Sequence, residues 1–388
     1  MLVFLKKRHF LILQQHWCLS TEVFKKVRMR FTSKLILRFK ECFLVVALWT
    51  IGFLFYGAMA YSMADESHFD YYKITITDFL LLELYGSLVL GFFMGISIFL
   101  MQEYVYPHFF RKYGMFLTII VQALFFVIVC VLGLWFILEL NRFHFIHIDN
   151  MIVPNTDVKW MISFTFYCLI LHVFIHLFLA FRRSLGKNYF QSLLRGNYRV
   201  PVIEYRVFMF LDMHSSTKTA EESGHYNYSL LLQECFDDLS EILLDFDAEV
   251  YQYVGDEAVL TWKVNDGFNR LQCIQLYDAF CERLLKREKF YVQKFSLLPK
   301  FKAAVNEGLV TVAEIGRVKT EIAYHGEVLS TASRVQKLCN QHTADLLITQ
   351  SFFEQLDSQC QNAFIEVDTA FLRGKKKAVT LYKKMLHV

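Results

Sequence analysis

The chain has 388 residues, 55% of them hydrophobic and 17% aromatic, with a mean hydropathy of +0.32. A soluble domain is ordinarily about 45–50% apolar, so this chain is too apolar to be wholly soluble, and 40 Phe against 4 Pro exclude a disordered or collagen-like chain. The formal charge of +4 implies no nucleic-acid partner, and 9 Cys without a CxxC pair argue against a disulfide framework or a structural zinc site.

The chain opens on a basic arm. Residues 1–40 carry Lys6, Lys7, Arg8, Lys25, Lys26, Arg28, Arg30, Lys34, Arg38 and Lys40 against Glu22 alone, a composition suited to anionic headgroups. The leading apolar stretch is cut at Lys6, too soon for a signal-peptide core. Four runs then lack any charged residue: Cys42–Met63, Leu84–Gln102, Tyr113–Leu138 and Trp160–Phe181, of 22, 19, 26 and 22 residues. About 20 helical residues cross a hydrocarbon core of about 30 Å, so the runs predict an all-α domain of four transmembrane helices over 41–183. The first outer connection is acidic, with Asp65, Glu66, Asp70, Asp78 and Glu83 against Lys73. Arg111 and Lys112 lie in the next connection, and Arg182, Arg183 and Lys187 follow the fourth run. The positive-inside rule then predicts a multi-pass protein of the cell inner (plasma) membrane, in contact with the lipid bilayer and with both termini cytoplasmic. His172 and His176 share one face of the fourth run, and His144 and His147 lie near the outer end of the third. An interhelical hydrogen-bond network is the simpler reading of the first pair, a metal or haem the sharper one.

Composition changes at about residue 184. Residues 184–204 read as a coupling linker, and 205–388 alternate short strands with helices. Strands are expected at Tyr205–Leu211, at Ala248–Val254 and Ala258–Trp262 around a Gly255-Asp256-Glu257 turn, and at Phe301–Val305 and Leu309–Val312. Further strands are expected at Leu346–Thr349, Phe364–Val367 and Ala378–Tyr382, with helices over Tyr226–Leu244, Arg270–Arg287 and Val328–Cys339. That order predicts a single α+β domain, one sheet with flanking helices.

Two carboxylates carry the chemistry. Asp212 ends a strand ahead of Ser215, Ser216 and Thr217, and Asp256 sits at a hairpin tip behind Gly255. Magnesium takes one or two carboxylates beside phosphate oxygens and waters. Paired ions about 3.5–4 Å apart stabilise the attacking and leaving oxygens together, and amides opening a helix after Asp212 would receive phosphate charge. Either aspartate taken alone reads as a turn or cap residue.

Four segments in order change that reading. Phe210-Leu-Asp212-Met-His-Ser-Ser-Thr217, Tyr253-Val-Gly-Asp256-Glu, Tyr324-His-Gly326-Glu-Val-Leu-Ser330-Thr-Ala332-Ser-Arg334 and Leu372-Arg373-Gly374-Lys375 together resemble the class III nucleotidyl cyclase catalytic domain, over about 200–385. The membrane half resembles the anchors of membrane-bound bacterial members, and Leu194–Pro201 looks like their coupling segment. The resemblance implies a ferredoxin-like sheet with flanking helices and a head-to-tail homodimer. It also implies two Mg²⁺ (or Mn²⁺) ions per site, held by Asp212, Asp256 and the Met213 carbonyl. Arg334 would stabilise the phosphates, Ser330 would stand where the family has a ribose-orienting Asn, and Arg373 and Lys375 would face phosphate. The purine-reading positions fall on Gln252 and Ala323, with Glu321 nearby. Gln donates and accepts, so base choice stays open, with ATP favoured over GTP. The alternatives are a guanylate cyclase and a catalytically weakened, cyclase-like receptor or nucleotide-sensing module.

Overall fold

The computed structural model describes residues 39–59, 62, 76–101, 117, 119–128, 158–185, 190, 192, 195–371 and 378–384. It divides into two units, Met1–Lys187 and Asn188–Val388. The basic arm up to residue 38, His144, His147, Arg373 and Lys375 lie outside the described residues.

In the first unit the helices are α1 (Phe39–Met59), α2 (Ile76–Leu100), α3 (Ile119–Ile128) and α4 (Val158–Leu185). Three apolar stretches among the described residues are long enough to cross a bilayer: Phe39–Met59, Glu83–Leu100 and Ile162–Arg182, of 21, 18 and 21 residues. Of the third expected span only the α3 part and residue 117 are described; the remainder lies outside the described residues. Phe43, Ile51, Leu81, Phe93 and Phe174 are each more than 60% exposed on this unit, an arrangement that hydrocarbon solvates and water does not. Val45, Trp49, Phe53, Met94, Phe126 and Ile175 form the interior. A Cβ on Gly91 would lie 2.8 Å from the Thr50 backbone nitrogen, and one on Gly95 would lie 2.6 Å from the Val46 Cα. This GxxxG spacing lets α2 rest on the α1 backbone.

In the second unit the chain runs β1 (Val202–Met213), α5 (Ser216–Leu243), β2 (Glu249–Val254), β3 (Glu257–Lys263), α6 (Leu271–Lys286) and α7 (Glu288–Phe295). It continues through β4 (Phe301–Ile315), β5 (Glu321–His325), α8 (Glu327–Leu338), β6 (Leu346–Thr349), α9 (Gln350–Phe353), α10 (Ser358–Gln361), β7 (Phe364–Ala370) and β8 (Val379–Lys384). The eight strands form one mixed sheet in the order β2-β3-β1-β4-β6-β8-β7, with β5 on β4; β4 and β6 are parallel and the other pairs antiparallel.

Both faces of the central strand β1 are covered. Val207, Met209, Leu211 and Met213 enter a core shared with Leu231 and Leu239 of α5 and Phe280 of α6. Phe208 and Phe210 enter a second core with Val328 and Ala332 of α8. Period-two alternation onto two buried faces is why this strand reads as a nearly unbroken apolar run.

Two strand expectations change. Phe301–Val305 and Leu309–Val312 are parts of one 15-residue strand, and β5 had no counterpart in the sequence reading. Asn306-Glu307-Gly308 resembles a turn in sequence, yet its polar groups are satisfied mid-strand. Asn306 Nδ2 donates to the Val328 carbonyl at 2.9 Å, Asn306 Oδ1 accepts from Thr349 Oγ1 at 2.7 Å, and Arg270 Nε donates to Glu307 Oε2 at 2.7 Å. Asn306→Ala should remove its buried hydrogen bonds to Val328 and Thr349 and cost about 1–3 kcal/mol. The midpoint of urea-induced protease sensitivity of the second unit, in the full-length protein, measures it; an unchanged midpoint would count against Asn306 as the joint between β4, β6 and α8.

Candidate active site

The strand register builds the site. Antiparallel pairing sets Asp212 of β1 opposite Glu257 of β3 on one side and opposite Lys302 of β4 on the other. The three side chains therefore share one face at the end of the sheet, the face that α8 covers. The β2–β3 turn has two residues, Gly255 and Asp256, with Gly255 at a φ of 62° that a side chain would strain. This tight turn brings the Asp256 carboxylate within hydrogen-bonding reach of Asp212.

Positive and neutral donors hold the carboxylates in place. Lys302 Nζ lies 3.2 Å from Asp212 Oδ2 and donates to Asn340 Oδ1 at 3.3 Å. Gln336 Nε2 of α8 donates to the same Asp212 oxygen at 2.6 Å. Burial, and then the charge of Asp256, push the Asp212 pKa up, while Lys302 pulls against them. Glu257 is raised to about 7 by burial and by Asp212 and Asp256, with Lys337 opposing. Tyr228 of α5 is raised to about 12 by burial and Asp256, although a hydrogen bond with Ser216 works the other way. A corner with more negative charge than its own chain neutralises suits a cation, and an all-oxygen donor set suits Mg²⁺ or Mn²⁺. Among the described residues no group of three or more His, Cys, Asp or Glu is disposed around a common metal position; two carboxylates are what a phosphate-bound Mg²⁺ needs from protein.

The other expected residues are distributed around this corner. Met213 follows Asp212, with its side chain in the core. Ser215 caps α5 in the left-handed region at φ 54°, and its carbonyl accepts from Thr219 N at 2.9 Å and Thr219 Oγ1 at 3.1 Å. Ser216 and Thr217 open that helix four and five residues beyond Asp212. Arg334 is half-buried on α8 and forms no ion pair among the described residues; Gln336 and Lys337, not Arg334, face the carboxylates of their own chain. Ser330 is exposed, and its Oγ donates to the Glu327 carbonyl at 3.1 Å. Gln252 is exposed on β2, just past a bulge at Tyr251. Ala323 is buried on β5 opposite Ala313, and Glu321 is exposed and paired with Lys319. The Tyr251 and Tyr324 rings, 4.9 Å apart, bring β2 and β5 together beside Gln252 and Ala323.

Sequence reasoning passed over Glu257, Lys302, Gln336 and Tyr228. Lys302 carried a signal, a lone charge inside the apolar run Phe301–Val305. Gln336 and Tyr228 carried none, because helix faces are assigned only once the sheet register is known.

With this geometry in place, the family comparison points to one class. The family model for the adenylate and guanylate cyclase catalytic domain matches residues 203–384, and the second unit is a class III adenylate/guanylate cyclase domain. The chain is similar to Adenylate cyclase 2 of Rhizobium meliloti (strain 1021), 32% identical over 178 residues, which are 46% of this chain and 49% of that protein. It is also similar to Adenylate cyclase 1 of the same strain, 24% identical over 181 residues, 45% of this chain and 26% of that protein. The chain thus spans about half the length of the first relative and about a quarter of the second. Among solved structures it is similar to the adenylyl cyclase CyaB from P. aeruginosa, at 16% identity and a TM-score of 0.42, covering 49% of this chain and 97% of that one. A bacterial light-regulated adenylyl cyclase matches at 15% identity and a TM-score of 0.48, covering 60% and 66%.

The raised carboxylates make a prediction about pH. The folded pKa of Glu257, about 7, stands above the model-compound value of 4.5, so the folded chain holds that proton more tightly. Its contribution to stability is present in acid and is lost as pH rises from about 4.5 to about 7. Glu257→Gln should stabilise the chelator-treated protein at about pH 8, by on the order of 1 kcal/mol after solvent screening of a half-exposed group. The advantage should vanish near pH 4. Thermal unfolding at the two pH values reads it, and an equal or lower midpoint for the variant at pH 8 would contradict the electrostatic account.

Proposed function

We propose that this chain is a membrane-anchored adenylate cyclase converting ATP to 3′,5′-cyclic AMP and pyrophosphate in a homodimer. The observation that carries the proposal is the convergence of Asp212 and Asp256, from a strand end and a hairpin tip, beside the opening of α5. In this reading the two carboxylates and the Met213 carbonyl hold two Mg²⁺ (or Mn²⁺) ions. When bound, the ions ease loss of the 3′-hydroxyl proton and stabilise charge on the attacking and leaving oxygens. The chain's own groups do the rest. First-turn amides at Ser216 and Thr217, with the Ser215 and Ser216 hydroxyls nearby, receive phosphate charge. The 3′-oxygen attacks the α-phosphorus as the bond to the β-phosphate oxygen breaks, and pyrophosphate leaves.

Arg334 supports a shared site. A half-buried guanidinium without an ion pair among the described residues is available to the triphosphate held by a partner's aspartates, where a bidentate fork is worth more than a point charge. Arg373 and Lys375 add phosphate contacts in this reading, and Ser330 takes the ribose-orienting role. Ser330 Oγ is already engaged with the Glu327 carbonyl, and this favours a second reading in which the domain is catalytically weakened. Gln252 with Ala323 and Glu321 reads the purine; the relatives named adenylate cyclases support ATP, with GTP as the competing substrate. The three long apolar helices support anchoring in the inner membrane, and the charge alternation supports cytoplasmic termini, with 1–40, 41–183, 184–204 and 205–388 as arm, membrane domain, linker and catalytic domain.

Cyclic nucleotide production by purified full-length protein, with ATP or GTP and with Mg²⁺ or Mn²⁺, decides between these readings. Asp212→Ala and Asp256→Ala should each lose on the order of 10³-fold or more in turnover, because ion-held charge stabilisation is worth several kcal/mol. Membrane insertion and dimerisation should survive in both. Substantial residual activity in either variant would sink the two-metal assignment.

Shared sites can be tested separately. Inactive Asp212→Ala and Arg334→Ala chains, when co-expressed, should recover partial activity, because a mixed dimer keeps one intact site. Mixed dimers that form and stay inactive would place each site within one chain.

A further inference from the structure

The membrane unit contains polar groups that the cyclase chemistry does not use. There, α2, α3 and α4 surround a void of about 10 Å³ bordered by Met94, Met101, Gln122, His172 and His176. His172 is 2% exposed, and both its ring nitrogens are buried without a hydrogen-bond partner among the described residues; Gln122 Oε1 is likewise unpartnered. Each such orphan costs about 1–3 kcal/mol, and an ion bound through one ring nitrogen of His172 would remove one of them. Phe126 stacks on the His172 ring at 5.2 Å, and the His176 ring centroid is 4.4 Å from that of His172. An i, i+4 pair on one helix face is the spacing at which two imidazoles reach one ion.

We propose that His172 and His176, with a thioether from Met94 or Met101, bind one Cu(I) ion inside the membrane unit. Three considerations select this ion. Imidazole and thioether are both soft enough for Cu(I), whereas carboxylate and water suit Mg²⁺, Ca²⁺ or Mn²⁺. Among the described residues the void is bordered by no carboxylate and no thiolate, so an ion there keeps its full charge in a medium of low dielectric. The Born cost grows with the square of charge, making a divalent ion about four times as expensive as a monovalent one. A void of about 10 Å³ also accepts an ion and no macrocycle.

The test uses purified full-length protein in detergent, reduced and anaerobic, titrated with Cu(I) against a chromophoric Cu(I) chelator. One Cu(I) per chain is expected. His172→Leu and His176→Leu should each weaken binding by more than about 100-fold, beyond the about 10–100-fold of an outer-sphere change. The joint Met94→Leu, Met101→Leu variant conserves volume and so keeps the helix packing; it should weaken Cu(I) binding and remove sulfur scattering from the copper X-ray absorption spectrum. Circular dichroism of each variant separates a lost ligand from a lost fold. Absence of stoichiometric Cu(I), unchanged affinity in a folded His172→Leu or double-Met variant, tighter binding of Zn²⁺ than of Cu(I), or a haem Soret band in the isolated protein would each overturn the assignment.

Discussion

Asp212 is placed by two strand pairings at once, and most of the catalytic unit serves to keep it there. β1 pairs with β4 over twelve residues and with β3 over seven, so Asp212 stands in a row between Glu257 and Lys302. Two acids and one base in adjacent positions are unfavourable by themselves, since like charges directly opposite destabilise a sheet. The row persists because β1 is buried on both faces. A slip of one residue would exchange Val207, Met209 and Leu211 with Phe208 and Phe210 between cores of different shape. Hydrophobic packing thus fixes an electrostatic arrangement that would not form unaided.

α8 ties packing to chemistry in a second way. Val328, Ala332 and Val335 seat it on the sheet, while Gln336 and Lys337 meet the carboxylates one helical turn on. At the opposite end of β1, Arg206 is buried against Glu204 at 2.7 Å and Glu249 at 3.2 Å and lies 4.8 Å over the Tyr324 ring. Tyr324 meets Tyr251 in turn. The strands bearing Gln252 and Ala323 are therefore held to β1 by a desolvated ion cluster. Removing one member of such a cluster costs far more than the cluster contributes in net stability. Tyr198, from the segment before β1, joins it through a hydrogen bond to Glu204 at 3.0 Å, and its carbonyl accepts from Glu314 N at 2.8 Å. A displacement of that segment works against buried charge, not against loose chain.

The parts of this arrangement that were legible in sequence were those set by local rules. The hairpin around Gly255 and Asp256 follows from turn chemistry, and Leu346–Thr349 from a short apolar run bounded by polar residues. The continuity of β4 was not legible, because Asn306 and Glu307 are polar in sequence and become strand residues only through partners on α8, β6 and α6. β5 was missed for a related reason: it is five residues long, its apolar alternation rests on Ile322 and Tyr324 alone, and it pairs with the far end of β4. In the site, the motif aspartates were readable one at a time, but Lys302 and Gln336 depend on a register between segments 90 to 124 residues away from Asp212. Long-range pairing of that kind is settled by the whole core and leaves little trace in any single segment.

Most buried polar groups among the described residues are compensated, and against that background His172 stands out because both its ring nitrogens lack a partner there. In the catalytic unit Glu204, Arg206, Asp238 and Glu307 are all buried, and each is compensated: Arg283 and Tyr291 hold Asp238 at 2.9 and 2.6 Å, and Arg270 holds Glu307 at 2.7 Å. A chain that pairs its buried charges so consistently has the means to pair an imidazole. In the first unit it does so elsewhere, with Tyr167 donating to the Gly52 carbonyl at 2.5 Å and Ser87 to Glu83 at 3.1 Å. Both nitrogens of His172 are buried without a hydrogen-bond partner among the described residues, beside a void bordered by Met94, Met101, Gln122 and His176. Each nitrogen left unpaired costs about 1–3 kcal/mol, a cost that a partner enclosed by these helices would offset in part.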